Sequence, residues 1–239
     1  DVYKRQEEYS ALYFGKEHAA DIAQLYRDFY DAYWQPKPTE FEGMERQFLF
    51  QDLRYARVFD HVFDKPFYQD GAPNLNPLRE IGYERMPGRT FRLDFEHNNA
   101  DNQVDTLLNG MQKTIPKFDA VAARCSEMLV QVDDDRKTFF NDNLRVFSYY
   151  MAHLSKTLYH YMYAYKHQED TDVLVRNLDL AYQEAVRAQQ YLHEAQHGVF
   201  STWYDNADPL DRTFQIDELQ QRLLSLKEEA LARDAVISE

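Results

Sequence analysis

Residues 174–195, LVRNLDLAYQEAVRAQQYLHEA, place apolar side chains at Leu174, Leu178, Ala181, Ala185, Ala188, Leu192 and Ala195. The steps alternate four and three. That average period of 3.5 residues keeps one stripe of a helix turned toward its neighbours. Two more stretches keep the rhythm. One runs Val104, Leu108, Met111, Ile115, Phe118, Ala122, Cys125, Leu129, Val132. The other runs Phe140, Leu144, Phe147, Met151, Leu154, Leu158, Tyr161, Tyr165. Short acidic links, Asp133-Asp134-Asp135 and Asp170-Thr171-Asp172, separate the three and put negative charge where a helix N-terminus favours it. The sequence therefore predicts an all-α fold, an up-down bundle with long helices over about 101–132, 136–167 and 172–197. The third stripe is rich in alanine, so its neighbours can approach closely.

Outward from that core, residues 7–14 read as the end of a helix stopped near Gly15, and 17–34 as a helix with Ile22, Leu25, Tyr26, Phe29 and Tyr33 on one face. Pro36 and Pro38 end it. Residues 42–64 are expected to form a further helix, and 65–100, with four prolines and three glycines, a long ordered loop with a short strand at Thr90–Phe95. Pro116 removes a backbone donor inside the first long helix and is expected to kink it. A last amphipathic helix covers about 215–233. The division expected is thus 7–64 for the N-terminal helices, 65–100 for the loop and 101–239 for the long bundle, all one all-α domain.

A net charge of −14 disfavours a nucleic-acid backbone or an anionic membrane as partner. Cys125 is the single cysteine and sits in a heptad stripe, so it reads as a buried apolar side chain. No apolar run of membrane-spanning length occurs. The opening, Asp1-Val2-Tyr3-Lys4-Arg5-Gln6, lacks an initiating Met, and residues 1–6 are read as a non-native or truncated start.

Two constellations carry chemical potential. His193-Glu194-Ala195-Gln196-His197 fits the H-E-x-x-H pattern, in which two histidines one turn apart bind zinc and the glutamate acts as base; Glu218 stands at the spacing of a third ligand. Against it, Gly198 follows at once and Ala195 belongs to the bundle stripe. A zinc-dependent hydrolase is therefore the lesser alternative. The second is a stripe of Tyr149, His153, Lys156, His160, Tyr163 and His167. His153 and His160 lie about 10 Å apart along a helix, too far to share one metal. The stripe reads as an interface face, with Trp203 and Tyr204 joining it, packed on another domain or on residues 17–64. No pair of carboxylates is singled out for glycoside hydrolysis, and no catalytic residue is assigned.

Three segments carry a resemblance: Phe14-Gly15-Lys16-Glu17-His18-Ala19-Ala20-Asp21-Ile22-Ala23, then Gln35-Pro36-Lys37-Pro38, and Phe200-Ser201-Thr202-Trp203-Tyr204 after the long helices. In this order the chain resembles the helical domain that follows the barrel in glycoside hydrolase family 115, the xylan α-glucuronidases. The resemblance implies a non-catalytic module bracing an upstream catalytic domain of the same chain, with a homodimer as a further expectation, no cofactor, and a periplasmic or secreted bacterial enzyme. None of that family's catalytic residues transfers, because they belong to the barrel. The rival from a different class is a free-standing helical interaction protein.

Overall fold

The computed structural model describes residues 2–36, 46–48, 68–69, 72–73, 100–201 and 216–237. Its helices are α1 (Val2–Phe14), α2 (Ala19–Tyr33), α3 (Ala100–Gln131), α4 (Asp134–Phe140), α5 (Val146–Lys166), α6 (Thr171–Glu194) and α7 (Ile216–Ile237). A π-helical turn at Asn141–Arg145 joins α4 to α5 without a break, so these seven helices make six rods among the described residues. The rods pack as a bundle in which α5 lies against both α3 and α6, α7 lies on α6, and α2 bridges α1 to α3.

The three heptad stripes form the seam. Leu174, Leu178, Ala181, Ala185, Ala188 and Leu192 of α6 are all buried, as are Met151, Leu154, Leu158 and Tyr161 of α5. A second cluster joins Phe14, Ile22 and Leu25 to Val121, Cys125, Val132, Phe140 and Leu144, which fastens the α1–α2 hairpin to the end of the long helices. The rods begin and end where local chemistry allows. Asp170 caps α6 by accepting a hydrogen bond from the Val173 amide at 3.0 Å. Gly15, at φ 94°, takes the left-handed conformation that turns α1 toward α2.

Ser148, Ser155 and Thr157 are buried on α5, where each hydroxyl donates to the carbonyl one turn back, at Leu144, Met151 and His153. Polar groups can therefore sit on several sides of α5 without being left unsatisfied in the interior.

Two details differ from the sequence reading. The helix expected over 42–64 does not run through Arg46–Phe48, which pairs antiparallel with Trp34–Pro36 in a register that sets Trp34 opposite Phe48. Prolines after α2 favour extended backbone, which offers an edge for pairing. The rest of 42–64, and the strand at Thr90–Phe95, lie outside the described residues; a second short pairing joins Tyr68–Gln69 to Ala72–Pro73. Within α3 the helix continues through Pro116, whose side chain is exposed on the solvent side, where water can take the freed carbonyl. Finally, α6 stops at Glu194 rather than at 197.

Ala185 has no exposure and sits in the middle of the α5–α6 seam. Ala185→Leu should destabilise the chain by about 1–3 kcal/mol, because a close-packed seam cannot take three more carbons without strain. Urea unfolding followed by circular dichroism measures it, and an unmoved midpoint would mean that the seam has room.

Candidate functional site

The densest polar cluster gathers around the π turn. A π turn widens the helix by one residue per turn and re-aims the side chains that follow. Here its last residue, Arg145, points between α3 and α6. The Arg145 Nε donates to Ser126 Oγ of α3 at 3.1 Å, and Nη1 donates to Asn141 Oδ1 at 2.9 Å and to Glu194 Oε2 of α6 at 2.8 Å. One guanidinium thus ties three rods together.

The same guanidinium lies over two aromatic rings, 5.2 Å from the centroid of Tyr149 and 5.8 Å from that of Tyr191. Tyr149 on α5 and Tyr191 on α6 stack on each other, 4.3 Å apart and 5° from parallel. The Tyr149 hydroxyl meets Ser126 Oγ at 3.1 Å. His153, one turn beyond Tyr149, continues the stack against Tyr191 at 5.4 Å. Its Nδ1 lies 2.6 Å from Glu184 Oε2, and Arg187 Nη1 donates to the other oxygen of Glu184 at 2.8 Å. The cluster therefore runs as a ladder, Glu194–Arg145–Tyr149/Tyr191–His153–Glu184–Arg187, down one side of the α5–α6 pair.

Burial pushes the Glu184 carboxyl up, but the hydrogen bond and charge of His153, helped by Lys156 and Arg187, outweigh it, so the group titrates below the ordinary carboxylate range. Burial raises the Tyr191 hydroxyl, with Tyr149 adding to the shift. In the second core, burial pushes the Cys125 thiol up to about 12, which makes it a poor nucleophile at neutral pH.

The sequence-derived candidates are placed unequally. Tyr149 and His153 of the interface stripe are engaged within the chain by Tyr191 and Glu184 of α6, and His153 is 9% exposed. His160 Nδ1 meets Asn177 Oδ1 of α6 at 3.1 Å, while Tyr163 and His167 pack ring to ring at 4.4 Å and remain half-buried. Trp203 and Tyr204 lie outside the described residues, as does the side chain of Glu218.

The H-E-x-x-H geometry is not formed. His193 is in the last turn of α6, whereas His197 lies beyond the helix in extended conformation, φ −146° and ψ 162°, with Nε2 2.7 Å from Asp142 Oδ2. Glu194, the base that the pattern requires, is held by Arg145. The reason is local: α6 ends at Glu194 with Ala195 as its cap, so the second histidine lies past the last turn and does not join the first on one face. Among the described residues no group of three His, Cys, Asp or Glu is placed to hold a metal ion. An open groove of about 420 Å³ between α6 and α7 is lined by Val175, Arg176, Leu180 and Leu231, with Asp179 and Asp234 engaged by Lys227 and Thr171.

Arg145, Glu184 and Tyr191 were not singled out by the sequence. Their stripe crosses from α5 to α6, and such a contact has no signature in the spacing of either helix alone. With this geometry in view, no family model matches the chain, and neither do the curated proteins or the solved structures. No helix among the described residues is long and apolar enough to cross a membrane.

What the ladder can do chemically is hold rods in register. Glu184, with its lowered pKa, contributes stability that is fully present above the unfolded value near 4.3 and is lost as pH falls through the lower folded value. Glu184→Gln should lower stability by about 2 kcal/mol at neutral pH and flatten the acid limb of the profile. Thermal melts between pH 3 and 7 measure both effects; an acid limb as steep as that of the parent would remove Glu184 from this role.

Proposed function

We propose that this chain is a non-catalytic helical scaffold and docking module of a polysaccharide-degrading glycoside hydrolase, set beside a catalytic barrel in the same polypeptide. The observation that carries the reading is the state of the polar side chains. At the ladder, where chemistry would be sought, each carboxylate, guanidinium and imidazole already has a hydrogen-bonding or charged partner from another element or the next turn. Arg145 meets Glu194, His153 and Arg187 meet Glu184, and His197 meets Asp142. A reacting group needs an approachable partner position, and clasps of this kind fill it.

The glycosidase context rests on the resemblance of residues 14–23, 35–38 and 200–204 to the post-barrel domain of family 115. In that setting the bundle braces the barrel, which carries the active site, and the enzyme is periplasmic or secreted. A free-standing helical interaction protein is the second reading; the exposed aromatic surface of α1 favours it. The end of α6 at Glu194, which parts His197 from the helix face of His193, disfavours the zinc-hydrolase reading.

The experiment has two parts. The reading frame upstream of residue 1 should continue into alternating strand and helix patterns, and the purified chain should release no uronic acid from glucuronoxylan. A start codon near residue 1 would move the conclusion to the free-standing protein. Hydrolysis by the purified chain that requires zinc and disappears in His193→Ala would overturn the non-catalytic reading.

A further inference from the structure

We draw no further inference here: the strongest candidate, the open groove between α6 and α7 lined by Val175, Leu180 and the exposed Leu231, carries nothing because nothing in the structure shows what covers it.

Discussion

The structure depends on how closely α5 and α6 approach. Alanine at 181, 185 and 188 removes bulk from the α6 side of the seam, and each of the three is fully buried. Large α5 side chains, Leu154, Leu158 and Tyr161 among them, fill the space that results. Close approach brings two consequences. It buries α5 on several sides, so its Ser and Thr hydroxyls must bond backward to the helix itself. It also brings Tyr149 within stacking distance of Tyr191, and His153 within hydrogen-bonding distance of Glu184.

The polar ladder is therefore a product of the seam and also a lock on it. Heptad packing alone allows neighbouring helices to slide by a turn at moderate cost, since each stripe repeats itself. A buried pair such as His153–Glu184 and a three-way link such as Arg145 have one satisfied register only. A slip of one turn would take His153 away from Glu184 and leave one oxygen of a buried carboxylate without its partner, since Arg187 of the same helix holds only the other. The π turn serves the same end, by aiming Arg145 at Ser126 on one side and Glu194 on the other.

The bundle was legible in the sequence because a repeated apolar stripe states a face, and a face needs a neighbour. The stripes of 108–132, 140–165 and 174–195 became the cores, and the rod boundaries fell within a few residues of those expected from the acidic links and Gly15. The polar site was not legible in the same way. Tyr149 and His153 stood out as a stripe, but the stripe did not say which helix it would meet. Arg145, Glu184 and Tyr191 were hidden among ordinary charged and aromatic helix residues. The π turn left no mark either, because the four-three rhythm passes through 140–147 undisturbed. His193 and His197 mark the opposite case: the spacing was visible, but a helix end between them cancels it.

Hydrogen exchange on the intact chain, resolved by mass spectrometry, tests the seam as the organising contact most directly. The account predicts the slowest exchange in residues 146–165 and 174–192 together, opening as one cooperative unit, with α1 and the C-terminal turns of α7 exchanging first. Strongest protection in the α1–α2 hairpin, or α5 and α6 exchanging independently of each other, would contradict it.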